Sequence, residues 1–229
     1  MPAPTKIVLD SSSLISLADT CNIDALAFLK QKAGLEFVIS PAVRQEIIAV
    51  PAKVKSLEFS ALRIRKLVED GTVKVESAGG LDVKTREIAD AANRLYFVGG
   101  KPLRLIHEGE AESLALAGAI GAKVLAIDEK TTRLIVEDPL KLKEMVASEY
   151  VEKLAFEMQA YQKFRGLIPQ LIIMRSAELL ALAAKRGFFK PFASHEEEAF
   201  HASINSLRAA GCSLAQEEIR QYAEIKLKL

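Results

Sequence analysis

Five short apolar runs, set apart by helix-like segments, constrain the fold of this 229-residue chain more than any other feature. Three are rich in aliphatic and β-branched residues: "KIVLD" (6–10), "LEFVIS" (35–40) and "KVLAID" (123–128). "TVKVE" (72–76) and "QLIIM" (170–174) are weaker. The first three do not alternate apolar with polar residues. A strand that is apolar on both sides must be covered on both faces, and helices provide that cover in a parallel sheet. Helix-like stretches at 13–33, 41–68, 82–98 and 109–121 stand between the runs, as βαβ units require.

Turn chemistry agrees with that reading. Ser40-Pro41 supplies an N-cap followed by proline at the first helical position. In "EDGTVKV" Gly71 stands just past a helix and just before a strand, where a C-terminal cap belongs. Residues 139–168 read as one long polar–apolar helix inserted before the last strand, and 190–229 as a helical extension with a break at Gly211. The expected organisation is an α/β domain over 1–189, its central parallel sheet of about five strands flanked by helices, followed by the extension.

A chain of this length buries roughly 70% of its unfolded surface, so it needs neither disulfide nor metal to fold. Cys21 and Cys212 are far apart and lack metal-ligand spacing, which points to a reduced, cytoplasmic protein. The start, "MPAPTK", lacks the features of a signal peptide, and no apolar run reaches the ~18 residues of a membrane helix. With a net charge of +1, bulk electrostatics announce no nucleic-acid partner, so any such claim must come from a local site.

Four acids stand out by position. Asp10 ends the run Ile7-Val8-Leu9 and Asp128 ends Val124-Leu125-Ala126-Ile127. Ligands of open α/β sheets bind outside the carboxyl ends of strands, so the two aspartates converge if their strands are neighbours. On an α-helical wheel Glu46, in "PAVRQEIIAV", falls on the inward side beside the stripe Val43, Ile47 and Val50. Glu112, in "GEAESLALAGAI", shares a face with Ala115, Leu116 and Ala119, while Glu110 projects to another side. Each acid alone has a plain structural use as a cap, a turn former or half of an ion pair. Together they form a set of hard oxygen donors with no histidine or thiolate nearby, which suits Mg²⁺ or Mn²⁺ rather than zinc. Without a cation such acids repel one another and tend to take up protons.

"IVLDSSSLISLA", "FVISPAVRQEI", "GEAESLALA" and "VLAIDEKTTRLI" resemble, in order, the acidic motifs of PIN-domain ribonucleases, most closely the VapC-like subgroup with a GEAE sequence. The tail "LLALAAKRGFF…INSLRAAGCSLAQEEIRQYA" resembles the end of that subgroup, and 139–168 is the main departure. The resemblance implies a PIN-like fold and a metal-dependent endoribonuclease, either the toxin of a toxin–antitoxin pair or an RNA-processing enzyme. By position it makes Asp10, Glu46, Glu112 and Asp128 the catalytic and metal-binding acids, with Glu110 an auxiliary ligand and Glu129 a weaker one. It assigns Ser12 to holding the first motif and Arg133 to a substrate phosphate. It also implies an RNA substrate, a homodimer and, for a toxin, a small antitoxin-type protein partner. No histidine base is called for, so His107, His195 and His201 receive no part.

Lys53, Lys55, Arg63, Arg65 and Lys66 form a basic stretch whose commoner use is a solvated helix face, with RNA contact the other. Two rival functions stand against the nuclease. One is a PIN-like RNA-binding or assembly module with little or no nuclease activity. The other is a dehalogenase-like phosphatase, which needs a second aspartate two residues after Asp10, where Ser12 stands.

Overall fold

In a computed structural model, which describes residues 4–49, 58–150 and 154–227, strand β1 (Lys6–Leu9) runs up the middle of the molecule and stops at Asp10. Asp10 caps helix α1 (Ser11–Asp19), and α2 (Asp24–Ala33) returns the chain to β2 (Glu36–Ile39). Ser40 then caps α3 (Pro41–Arg44), its hydroxyl accepting the Val43 amide at 3.2 Å with Pro41 at the first helical position. The helix continues as a π-helical turn, Gln45–Ala49. After α4 (Glu58–Glu69), Gly71 takes a left-handed conformation (φ 73°) ahead of β3 (Val73–Val75), as its position predicts.

Helix α5 (Leu81–Ala92) leads into a hairpin of β4 (Tyr96–Val98) and β5 (Lys101–Pro102). Then follow α6 (Glu108–Ala119), β6 (Val124–Ala126), α7 (Lys130–Glu137), α8 (Pro139–Glu149), β7 (Leu154–Phe156), α9 (Met158–Leu167) and β8 (Ile172–Met174). The chain closes with α10 (Ser176–Lys185), a 3₁₀ segment Lys190–His195, α11 (Glu196–Ala209) and α12 (Gln216–Ala223).

The main sheet is five-stranded and parallel, in the order β3-β2-β1-β6-β8. All five predicted runs are in it. From β1 the chain moves outward through β2 and β3, then returns to the other side of β1 at β6. The reversal lies between β1 and β6, where doubly wound sheets open a crevice for ligands. Register sets Leu9 opposite Ala126, and the Asp10 amide donates to the Ala126 carbonyl at 2.9 Å. Asp10 and Asp128 therefore emerge side by side on one rim.

Both faces of the sheet are covered, which explains the unbroken apolar runs. Ile7, Leu9, Phe37 and Ile39 pack on one side with α1, α2, α10 and α11. Val8, Val38, Leu125 and Ile127 pack on the other with α5, α6, α7 and α9. Phe200, Ile204 and Leu207 of α11 are fully buried in the first of these cores, so the C-terminal helices cap the sheet.

Two predicted helices are corrected. Residues 139–168 are not one helix but α8 and α9 on either side of β7, which pairs antiparallel with β4 (Tyr96 opposite Phe156) in a second sheet, β5-β4-β7. Tyr96 and Phe156 stack with ring centroids 5.2 Å apart, and this cross-strand pair outweighs the helical composition around it. The stretch 82–98 is helical only to Ala92, because Tyr96–Val98 supplies the middle strand of that sheet. Among the described residues no helix is long and apolar enough to cross a membrane.

Candidate metal centre

Asp10 reaches the rim because β1 ends one residue before it, and its carboxylate serves first as a helix cap. Oδ2 accepts the Ser12 amide at 3.0 Å and the Ser12 hydroxyl at 2.7 Å. The same Ser12 oxygen accepts the amides of Asp128 at 3.0 Å and Glu129 at 3.3 Å, so one hydroxyl ties the two strand ends together. Oδ1 of Asp10 is buried and has no hydrogen-bond partner. Burial pushes the Asp10 carboxyl up to about 6 against the pull of the Ser12 bonds, and the Glu46 charge adds to the rise.

Glu110 is the second buried acid here, on the first turn of α6. Burial raises it to about 7; the His107 amide, which donates to it, opposes the rise, and the charges of Asp10 and Glu129 add to it. The Thr132 hydroxyl lies beside it and also opposes the rise. Glu129 caps α7, accepting the amides of Thr131 at 2.9 Å and Thr132 at 2.6 Å.

Glu46 is exposed, not inward as the helical wheel predicts. The α-helical period fails at this point because Gln45–Ala49 is a π turn, a local widening common at functional sites. Val50, the last member of the predicted stripe, lies outside the described residues. Glu46 nevertheless sits against α6: a β-carbon at Gly109 would lie 2.7 Å from its Oε2. The glycine of "GEAE" is what lets this carboxylate approach. Among the described residues Glu46 makes no hydrogen bond or ion pair.

The remaining predicted residues are placed differently. Glu112 accepts the Ala42 amide at 2.8 Å and so caps α3, at the edge of a cleft of about 440 Å³ shared with Arg86, Arg104 and His107. Glu110 and Glu112 are two positions apart on α6 and cannot face the same way. Asp128 is buried and spent on α10: Oδ1 accepts the Ser176 amide at 2.7 Å and Oδ2 the Ser176 hydroxyl at 2.6 Å. Each of its oxygens retains one further lone-pair position. Arg133 pairs at 3.7 Å with Glu137 on its own helix, and its Nε is buried without a partner. In the basic stretch, Lys53 and Lys55 lie outside the described residues, while Arg63 donates to the Ala18 carbonyl and covers the Phe59 ring.

Among the described residues no three Asp, Glu, His or Cys side chains stand close enough together to form a ready-made metal centre. The donor chemistry nonetheless suits a hard cation. Asp10 offers an unpartnered oxygen, burial and the Glu46 charge raise Asp10, burial and the charges of Asp10 and Glu129 raise Glu110, and Glu46 is exposed beside them. Ser176 and Gly109 escaped the sequence reading. The signal for Gly109 was its place one residue before Glu110, and for Ser176 the start of a helix just after the fifth strand run.

A family model described as a PIN domain matches residues 6–143, more than half of the chain. The match takes in Asp10, Glu46, Glu110, Glu112 and Asp128 and ends within α8. Comparison with curated proteins and with solved structures finds no match.

Proposed function

As the chain belongs to the PIN-domain family, whose members are generally nucleases, we propose that it is an endoribonuclease hydrolysing RNA phosphodiester bonds with Mg²⁺ or Mn²⁺. The observation that carries this reading is the unpartnered, buried Oδ1 of Asp10 at the rim where β1 and β6 meet, with Glu110 and Glu46 beside it. A cation there relieves a repulsion that the apoprotein otherwise meets by protonation. Asp10 and Glu110 would hold it from the buried side and Glu46 from the exposed side, and Asp128, whose oxygens each keep one lone-pair position, would complete the set from the neighbouring strand end. Ser12 holds Asp10 and the Asp128 backbone in register. A divalent ion bound to these acids supplies a hydroxide nucleophile at neutral pH and stabilises charge on the leaving oxygen.

The test is cleavage of single-stranded RNA with Mg²⁺ or Mn²⁺. Asp10→Asn and Glu110→Gln are expected to slow it about a thousandfold, the several kcal/mol that a lost metal ligand removes from transition-state stabilisation. Parent-like cleavage by both variants, or no cleavage by the parent, defeats the proposal. A second reading, an RNA-binding or assembly module without turnover, draws support from the spacing of the acids, which are not gathered into a three-ligand cluster. RNA binding with neither Mn²⁺ uptake nor cleavage favours it.

A further inference from the structure

Beyond the family match lies a buried polar network that joins the C-terminal helices to Asp128. Arg175, buried between β8 and α10, pairs with Glu178 at 2.6 Å and with Glu218 of α12 at 2.7 Å. Its guanidinium also donates to the Ser213 carbonyl at 2.8 Å. Tyr222 of α12 donates to Glu178 at 2.6 Å. Cys212 is buried beside Ser176. The very next residue after Arg175 is Ser176, whose amide and hydroxyl hold both oxygens of Asp128. A few bonds thus connect α12 to the carboxylate at the end of β6.

We propose that the segment from Cys212 to Tyr222 is a clamp that positions Asp128: Arg175 locks the segment to the start of α10, and Ser176 passes that constraint to the carboxylate. Arg175, Ser176 and Glu218 are positioning residues. The proposal rests on Asp128 serving the acidic site, and it makes the C-terminal extension part of that site. A guanidinium suits the task because its fixed fork engages two carboxylates and a carbonyl at once, where an ammonium is a single point charge. Two partly exposed carboxylates offset the cost of burying this cation.

The test uses the full-length protein. Glu218→Gln leaves Arg175 paired with Glu178, so the buried charge stays compensated and the chain still folds. Phe200→Leu loosens the same helices without touching Arg175 and serves as the control for plain loss of stability. Amide exchange at Ser176, Mn²⁺ affinity by calorimetry and RNA cleavage are measured well below the melting temperature. Glu218→Gln is expected to speed exchange at Ser176 and to weaken Mn²⁺ binding about tenfold, as loss of a group behind a metal ligand does. It lowers kcat in proportion and leaves KM for RNA unchanged, while Phe200→Leu changes none of these. Parent-like exchange and Mn²⁺ affinity in Glu218→Gln overturn the clamp, as does an equal weakening in Phe200→Leu. A parent that binds Mn²⁺ and cleaves nothing defeats the nuclease reading alone, because exchange and Mn²⁺ affinity still test the clamp. A parent that binds no Mn²⁺ defeats both.

Discussion

Asp10 and Asp128 leave neighbouring strands at the same rim and are equally buried, each 1% exposed, yet the fold treats them in opposite ways. Asp128 carries a donor on each oxygen, both from Ser176. Asp10 carries both of its side-chain contacts on Oδ2, keeps Oδ1 empty, and is repelled by Glu46. One carboxylate is held by the protein on both oxygens, and the other keeps one oxygen bare. A buried polar atom without a partner costs about 1–3 kcal/mol, so a fold retains one chiefly where something else is meant to meet it. Strand position gives two aspartates the same address, and tertiary partners give them different work.

Asp128→Ala tests this difference with the largest expected loss of stability. It strands a buried amide and a buried hydroxyl at the start of α10, and the expected loss is about 3 kcal/mol in urea unfolding at pH 7.5 without divalent ions. A loss under about 1 kcal/mol means that Ser176 finds other partners and does not depend on Asp128.

Asp10→Asn is expected to act in the opposite direction. The Asp10 carboxyl stands at about 6 in the fold against an ordinary 3.8. The folded state holds this proton more tightly than the unfolded chain does, so stability is lost as pH rises through that window. The cost is absent below the unfolded value, builds between the two and is complete above about 6. Asparagine removes it while keeping an oxygen for Ser12. The variant should be more stable than the parent by about 3 kcal/mol at pH 7.5 without divalent ions, and the gain should vanish near pH 4. A gain of the same size at both pH values contradicts the electrostatic account. Glu110, raised to about 7 mainly by burial, makes the same kind of contribution over a window that ends higher.

Most of the sheet was legible in the chain: a strand covered on both faces must be apolar throughout, as the three central runs are, and the two weaker runs became the edge strands β3 and β8. The second sheet was not. Its strands are two or three residues long and Leu154–Phe156 lies in helix-like surroundings, so nothing local separates it from a helix. Phe97-Val98-Gly99-Gly100-Lys101 did carry a hairpin signal, two glycines at positive φ between short strands. At the site, strand ends placed Asp10 and Asp128 correctly, since backbone position follows from the strand. Side-chain direction did not follow. The wheel used for Glu46 assumes an α-helix where the chain makes a π turn. Asp128 takes its orientation from Ser176, 48 residues later in the chain.

The choice between Glu110 and Glu112 was beyond periodicity for a different reason. Helix α6 is buried almost all round, from Gly109 to Ala117, so it has no wet face against which to judge an inward one. The structure separates the pair by their partners: Glu110 shares the repulsion of Asp10, and Glu112 caps α3. Glu112→Gln is therefore expected to have the smallest effect. Glutamine keeps a carbonyl oxygen for the Ala42 amide and gives up only the favourable charge at the start of α3, worth about 0.5 kcal/mol. RNA cleavage should stay within about twofold of the parent, because no bond of Glu112 leads to the acids around Asp10. If Glu112→Gln abolishes cleavage while Glu110→Gln spares it, α6 presents the other carboxylate to the metal. The open aspartate would then be completed from the α3 side of the cleft, and Glu110, with its raised pKa, would be a buried cap of α6 and nothing more.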